Sequence, residues 1–228
     1  MGFFNTAVCF ATLMVNMNKR TVLTDCLWLI LIGIGLYGLF LGSYHLITPD
    51  EGRYPEIARE MAASGNFITP HLNGIAFLDK PILYYWAEGL MIHFFGVSEW
   101  SIRLLPAVFG IIGSLINYLA GRLLFDRRTG WLSALVLMTS LIYFLSSHYA
   151  DMDLMVAVLI SASLWLFIMA MRFSPPLLKR DVFLWCAFIF AALAFLTKGL
   201  LGIVFPAMII GLWIVFTNQW KQIKHMRL

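Results

Sequence analysis

Six long apolar segments constrain this sequence more than any other feature. A helix needs about 17–25 mostly apolar residues to cross the hydrocarbon core of a membrane. The chain has 228 residues, of which 61% are apolar and 12% charged, whereas soluble domains are about 45–50% apolar. The segments therefore predict membrane-spanning helices, at about 26–47, 104–124, 131–147, 152–171, 182–197 and 200–217.

The ionisable residues exclude several classes of membrane and soluble protein. A net charge of +4 in so apolar a chain indicates topology rather than nucleic-acid binding. The central parts of the six segments contain no Asp, Glu, Lys, Arg or His, whereas transporters carry such groups near the midplane. Cys9, Cys26 and Cys186 lie in apolar runs without the spacing of a metal site, so neither a metal nor a disulfide is expected.

The Lys and Arg residues orient the predicted spans, because cytoplasmic segments are enriched in them. Most of them fall on one side if the residues before the first span are cytoplasmic, and most acidic residues then fall on the other. This orientation makes 48–103 a periplasmic loop within a transmembrane domain at 19–217, followed by a basic cytoplasmic tail at 218–228. We interpret 1–18 as an N-terminal extension from an upstream start, with a myristoylation pattern as the alternative.

The loop at 48–103 is long and contains no span of its own, which is typical of a functional loop. Pro55 suits a first helical turn, and Ile57 and Met61 are spaced for one helix face, which predicts a short amphipathic helix. A second apolar run at 81–96 is short for a span and rich in Tyr and Trp, as at a membrane–water interface. The sequence therefore predicts an all-α, polytopic protein with about six transmembrane helices and two interfacial helices.

Four short motifs follow one another along the chain, each at the outer end of a predicted helix. They are Asp50-Glu51-x-Arg53-Tyr54, Asp79-Lys80-Pro81, Asp151 and Thr197-Lys198-Gly199. Over residues 20–217 the chain thereby resembles the N-terminal half of the GT-C membrane glycosyltransferases, the family of lipid A aminoarabinose transferases and protein O-mannosyltransferases. The resemblance implies an enzyme of the bacterial inner membrane, with its active site on the periplasmic side. It also implies a C-terminal half as a partner, which this sequence does not include.

The resemblance makes Asp50 and Asp151 the catalytic candidates. Asp50 matches the carboxylate that activates or orients the acceptor, and Asp151 matches a second carboxylate that assists it. Each has a structural alternative, because Asp is also common in turns and at helix N-caps. Glu51 is the weaker candidate and is expected to support the loop.

Substrate-binding roles fall to five further residues. Lys80 is suited to holding a donor phosphate, and the family match gives Lys198 a place near that phosphate. Arg53 and Tyr54 suit hydrogen bonds to phosphate or sugar, or alternatively within the loop. Asp79 stands where aminoarabinose transferases have an acidic zinc ligand; a single carboxylate does not make a zinc site, so no metal or other cofactor is predicted.

The sequence thus predicts a glycosyltransferase that moves a sugar from a polyprenyl-phosphate donor to a lipid or protein acceptor at the periplasmic face. The aminoarabinose transferase type is favoured. The alternatives are an enzyme like a protein O-mannosyltransferase, and a truncated, non-catalytic membrane subunit that binds polyprenyl phosphate. Membrane lipids are expected partners, and nucleic acids are not.

Overall fold

Helices dominate the computed structural model, which describes residues 19–47, 49–172 and 178–218. The predicted extension at 1–18 and almost all of the predicted tail at 218–228 lie outside the described residues. In chain order the elements are α1 (Lys19–Gly38), α2 (Asp50–Ser64), β1 (His71–Leu72), β2 (Ile75–Ala76), α3 (Leu83–Phe95), α4 (Glu99–Leu124), α5 (Arg127–Thr139), α6 (Leu141–Ser146), α7 (Met152–Arg172), α8 (Leu178–Lys198) and α9 (Leu201–Thr217).

The described residues contain four helices that are long and apolar enough to cross a membrane. They lie at Lys19–Gly38, Glu99–Leu124, Met152–Met171 and Arg180–Lys198, and α9 is a shorter apolar helix. The prediction of a helical, multi-pass membrane protein is confirmed. The number of six spans stays a prediction, because two of the predicted segments form helices that differ from the expected ones.

The first predicted span is displaced along the chain. The prediction was 26–47, but α1 begins at Lys19 and ends at Gly38, and Phe40 has a left-handed φ of 64°. The backbone leaves the helix because the guanidinium of Arg103 donates hydrogen bonds to the carbonyl oxygens of Leu41 and Tyr44, at 2.8 Å each. Residues 39–47 therefore belong to the loop region and not to the span.

The predicted span at 131–147 is broken. Helix α5 ends at Thr139, Ser140 is extended, and α6 is a short helix of six residues. The Thr139 and Ser140 hydroxyls donate to the carbonyl oxygens of Leu135 and Leu137, at 2.8 and 2.9 Å. Such side-chain bonds compete with the helical ladder, so the apolar run does not continue as one helix.

Both helices predicted in the long loop are present, as α2 and α3, although Pro55 lies inside α2 and not in its first turn. Helix α2 ends at Gly65, whose φ of 70° suits glycine. The hairpin β1–β2 was not predicted; its Asn73–Gly74 turn donates both amides to the Glu60 carboxylate, at 2.6 and 3.2 Å. The placement of α2 and α3 at a membrane surface stays a prediction.

A buried apolar cluster fastens α2 and α3 to the ends of the longer helices α4, α7 and α8. We call this end of the bundle, where residues 39–98 lie, the loop end. The cluster contains Tyr54, Ile57, Met61, Tyr84, Tyr85, Leu105, Met152, Met155, Val156, Leu159 and Ala194. It brings the start of α2 towards the start of α7 and the end of α8.

At the opposite end of the bundle, Asp25 fixes α1 against α4 and α5. Its buried carboxylate accepts hydrogen bonds from Arg122 at 2.6 Å, from Arg127 at 2.5 and 2.7 Å, and from the Tyr118 hydroxyl at 2.6 Å. Helices α4 and α5 also meet closely near this end, at Gly130. A Cβ atom on Gly130 would lie 2.7 Å from the carbonyl oxygen of Tyr118.

The close approach at Gly130 predicts a specific loss of stability. Replacing Gly130 with Leu forces the α4 and α5 backbones apart, and we expect a cost of about 1–3 kcal/mol, as for other overpacked sites. The thermal unfolding midpoint in detergent measures it. Gly35→Leu is the matched control, because a Cβ at Gly35 meets nothing within 4 Å. Equal midpoints for the two variants would contradict the predicted contact.

Candidate active site at the loop end

A buried ion pair between Glu51 and Arg103 organises the loop end. Both side chains are fully buried, and the pair is bidentate, with Nε to Oε1 at 2.8 Å and Nη2 to Oε2 at 2.9 Å. The Arg103 guanidinium also lies 3.7 Å from the ring centroid of Tyr44. Such bidentate, charge-assisted bonds fix both position and orientation, so α2 and α4 are held in one register.

The same carboxylate reaches two further segments of the chain. Glu51 accepts hydrogen bonds from the amides of Ile47 at 2.8 Å and Ala150 at 3.0 Å. Burial raises the pKa of Glu51, but Arg103 and the two amides outweigh burial and leave it below its usual value. Because Asp50 adjoins Glu51 and Asp151 adjoins Ala150, this ionised group brings the two predicted catalytic residues to the same place.

Asp50 is paired with a residue of its own motif. Its Oδ1 accepts a hydrogen bond from Nη2 of Arg53 at 2.6 Å, and the same nitrogen lies 3.3 Å from the Tyr54 hydroxyl. Both side chains of the ion pair are about one-third exposed. Asp50 is therefore oriented by Arg53 and remains open to a ligand.

Asp151 precedes α7, and its pKa is influenced by the charges of Asp50, Arg53 and Lys198. Its Oδ1 accepts a hydrogen bond from the Met152 amide at 2.6 Å. Partial burial raises its pKa and the Asp50 charge adds to this, while the Met152 amide, Lys198 and Arg53 oppose it. The pKa of Tyr54 is raised by burial and then by both Asp50 and Asp151. Tyr54 therefore responds to both carboxylates, in agreement with the hydrogen bond that joins the segments of Asp50 and Asp151.

The two lysines lie in segments that approach each other at the loop end. Lys198, the last residue of α8, forms an ion pair with Asp153, and Lys80 pairs with Asp79 at 3.3 Å. A Cβ on Gly199, the residue after Lys198, would lie 3.9 Å from Cγ of Pro81. The turn that follows Lys198 is therefore close to the loop that carries Lys80.

The seven predicted site residues thus occupy one end of the bundle, in four chain segments that are distant in sequence. Two functional contacts were missed by sequence reasoning. Arg103 was not among the predicted site residues, although a charged residue near the start of an apolar helix signals a buried partner. Asp153 was not among them either, and it provides the partner of Lys198.

Comparisons with known proteins identify the family of the chain. The model of the dolichyl-phosphate-mannose-protein mannosyltransferase family matches residues 43–227. The chain belongs to this family. Its members use lipid-linked donors, so the family also fits a site formed at the ends of membrane helices.

Several relatives are bacterial transferases. An undecaprenyl phosphate-alpha-4-amino-4-deoxy-L-arabinose arabinosyl transferase from Erwinia tasmaniensis is 32% identical over 198 residues, which cover 82% of this chain and 35% of the relative. A second protein of this name, from Sodalis glossinidius, is 31% identical over 192 residues, covering 83% of this chain and 35% of the relative. The chain therefore spans about a third of the length of these relatives.

A solved structure shares the fold. The crystal structure of ArnT from Cupriavidus metallidurans bound to undecaprenyl phosphate matches with a TM-score of 0.83 and 28% identity, over 89% of this chain and 37% of that protein. Its apo form matches with a TM-score of 0.82. The GT-C fold predicted for this chain is confirmed.

The buried ion pair predicts that losing one partner lowers the folding free energy much more than replacing both partners does. Arg103→Met leaves the Glu51 carboxylate buried without its cation, which costs about 3–5 kcal/mol of folding free energy. Adding Glu51→Met removes the stranded charge and restores part of this loss, because apolar replacements of buried pairs are often nearly neutral. Thermal unfolding in detergent of the single and double variants measures the coupling.

The control for this cycle is the more exposed pair between Arg59 and Glu56, at 2.7 Å on the same helix α2. Arg59→Met is expected to cost no more than about 1 kcal/mol, as for surface pairs. A loss as small as this on Arg103→Met would refute the anchoring role of the buried pair.

Proposed function

We propose that the chain forms the donor-binding and catalytic part of a membrane glycosyltransferase that takes a sugar from a polyprenyl-phosphate donor. The observation that carries the proposal is the hydrogen bond from the Ala150 amide to the Glu51 carboxylate, at 3.0 Å, which joins the chain segments of Asp50 and Asp151 at the end of a helical membrane domain. A donor with its tail in the bilayer presents its phosphate at the interface, so polar groups at helix ends suit it. The aminoarabinose transferase type is favoured, because that is the printed name of several relatives.

Asp50 is the proposed catalytic carboxylate. Arg53 holds one of its oxygens at 2.6 Å, which leaves the other to orient an acceptor hydroxyl or to accept its proton. If the acceptor is a phosphate, it is already ionised, and Asp50 then positions it. Asp151 assists by holding negative charge close to the same point. Burial raises its pKa above that of an ordinary aspartate.

Lys80 and Lys198 are the proposed phosphate ligands, and Arg53 and Tyr54 are proposed to donate hydrogen bonds to the phosphate or the sugar. An ammonium group on a flexible stem suits a phosphate whose charge grows as the sugar departs. Each lysine now pairs with an aspartate, and a donor phosphate would replace that partner. We place the reaction at the periplasmic face of the bacterial inner membrane, which is the orientation that the Lys and Arg distribution favours.

The proposal predicts that Asp50→Asn lowers sugar transfer about 10²–10⁴-fold, the usual contribution of a general base or orienting carboxylate. The gene is expressed in a strain that lacks its own aminoarabinose transferase, and the modification of lipid A is measured by mass spectrometry. Asp126→Asn is the matched control. Asp126 caps α5 at the other end of the bundle, and Asn is an equally good N-cap, so transfer is expected to be unchanged.

Full transfer by an Asp50→Asn variant that is expressed normally would remove the catalytic role. Absence of transfer by the unaltered chain, together with tight binding of undecaprenyl phosphate, would instead support the second candidate, a non-catalytic subunit. Transfer to a protein and not to lipid A would favour an enzyme of the O-mannosyltransferase type.

The phosphate role of Lys80 has its own test. Removing one charge-assisted hydrogen bond costs about 1.5–3 kcal/mol, so Lys80→Ala is expected to weaken the binding of undecaprenyl phosphate about 10- to 100-fold. Binding is measured in detergent by native mass spectrometry. Lys19→Ala, at the exposed start of α1, removes the same charge from the opposite end and should leave the Kd unaltered. Equal affinities for Lys80→Ala and the unaltered chain would count against this assignment.

A further inference from the structure

Glu88 on α3 is a buried acid that the proposed reaction does not use. Its exposed fraction is 0%, and neither carboxylate oxygen has a hydrogen-bond partner among the residues that the structure describes. It lies on the inward face of α3, with Tyr84, Tyr85, Gly89 and Ile92. A buried polar group without a partner is rare in folded proteins and requires an explanation.

Tyr84 connects this acid to the candidate active site. It precedes Glu88 by one helical turn, which puts the two side chains on the same face. Tyr84 is also fully buried, and its hydroxyl has no hydrogen-bond partner in the described part of the chain. Burial raises the pKa of Tyr84 well above its usual value, and the charges of Asp151 and Glu51 add to this. Glu88 therefore shares a buried helix face with a tyrosine that responds to the carboxylates of the candidate site.

The cations on the neighbouring elements are bound to other groups. Helix α3 packs mainly against α2, α4 and α8. Their ionisable groups at the loop end, with the two that flank the start of α7, are Asp50, Glu51, Arg53, Glu56, Arg59, Glu60, Glu99, Arg103, Asp151, Asp153 and Lys198. Arg53 pairs with Asp50, Arg59 with Glu56, Arg103 with Glu51, and Lys198 with Asp153. These four pairs leave Glu88 facing apolar and phenolic groups.

An ionised carboxylate is very costly in such surroundings, so the group stays protonated instead. Burial accordingly raises the pKa of Glu88 well above its usual value. A neutral acid is tolerated there and adds no charge to the site. An ionised Glu88 would add a fourth negative charge beside Asp50, Glu51 and Asp151, and would draw α3 towards water.

We propose that Glu88 is held as a neutral carboxylic acid and acts as a positioning residue, keeping Tyr84 and the N-terminal end of α3 seated against the site as long as it stays uncharged. Lys80 lies only three residues before α3, so a displaced α3 moves a proposed phosphate ligand. This inference rests on the proposed function for its consequence, although the state of Glu88 does not depend on it.

The protonation state is tested directly by infrared spectroscopy on the whole chain in detergent at pH 7. The difference between the unaltered protein and Glu88→Gln should contain the carbonyl band of a neutral carboxylic acid. Glu56→Gln is the control, because Glu56 is partly exposed and paired with Arg59, which holds its pKa below the usual value. Its difference spectrum should contain a carboxylate band. A carboxylate band for Glu88 would overturn the proposal.

The pH dependence of stability provides a second test, in which the two variants are expected to behave differently between pH 5 and 8. Because the folded-state pKa of Glu88 is raised, its contribution to stability is largest below the ordinary value of 4.5 and is lost as pH rises. The thermal midpoint of Glu88→Gln, minus that of the unaltered protein, should therefore increase as pH rises from 5 to 8. Glu56 has a lowered pKa, so its contribution to stability is gained around and below the ordinary value of 4.5, and the midpoint difference for Glu56→Gln should change little from pH 5 to 8. A flat or falling difference for Glu88→Gln would contradict the inference.

The positioning role is read from the binding of undecaprenyl phosphate as a function of pH, which requires no turnover. Above the folded-state pKa, the neutral fraction of Glu88 falls about tenfold per pH unit. Affinity of the unaltered chain should fall at alkaline pH relative to that of Glu88→Gln, which has no proton to lose. Identical profiles would remove the positioning role. Absence of sugar transfer, with these three results as expected, would refute the proposed function and leave the role of Glu88 intact.

Discussion

The ion pair of Glu51 and Arg103 is the constraint on which the loop end depends. It joins the segment after α1, the start of α2, the start of α4 and the turn before α7, through bonds of 2.8–3.0 Å to side chains and amides. A buried pair contributes little net stability by itself, because desolvation offsets the attraction. Its value here is positional: Asp50 and Asp151 come from segments about 100 residues apart, and these segments are joined because Asp50 adjoins Glu51 and Asp151 adjoins Ala150, whose amide donates to Glu51.

The two ends of the bundle use ionisable groups in different ways. At the end opposite the loops, Asp25 is surrounded by Arg122, Arg127 and Tyr118 and has no oxygen left for a ligand. At the loop end, Asp50 and Arg53 form a partly exposed ion pair. Tyr84 and Glu88 have polar atoms without partners among the described residues. Fully satisfied networks fix structure, whereas incompletely satisfied ones are typical of functional sites. This contrast separates the site from the rest of the charged residues.

Much of this arrangement could be predicted from the sequence, because apolar length decides helices in a membrane and helix ends gather polar residues. The two loop helices followed from the spacing of apolar residues and from an aromatic-rich apolar run, and the motifs followed from the family resemblance. The displacement of the first span could not be predicted in this way, because it depends on hydrogen bonds from Arg103 to the carbonyl oxygens of residues 41 and 44, more than 50 residues away in the chain. The break at Ser140 depends on hydroxyl bonds that hydropathy does not register. The environment of Glu88 is likewise a tertiary property: the sequence identifies an acid on an apolar helix, and only packing reveals that it is buried without a partner.

The charges at the loop end are arranged so that a phosphate can bind there and still be released readily. Lys80 and Lys198 are each neutralised by a neighbouring aspartate, so an incoming phosphate exchanges one anion for another around the same ammonium group. Such an exchange changes the local field less than binding to two unpaired lysines would, and release after transfer is correspondingly easier. A neutral Glu88 fits this balance, since Arg53, Arg103 and Lys198 already face four carboxylates in Asp50, Glu51, Asp151 and Asp153. One more negative charge would favour proton uptake by Asp151, which burial already favours. Less Asp151 would then be in the ionised form that helps to orient an acceptor.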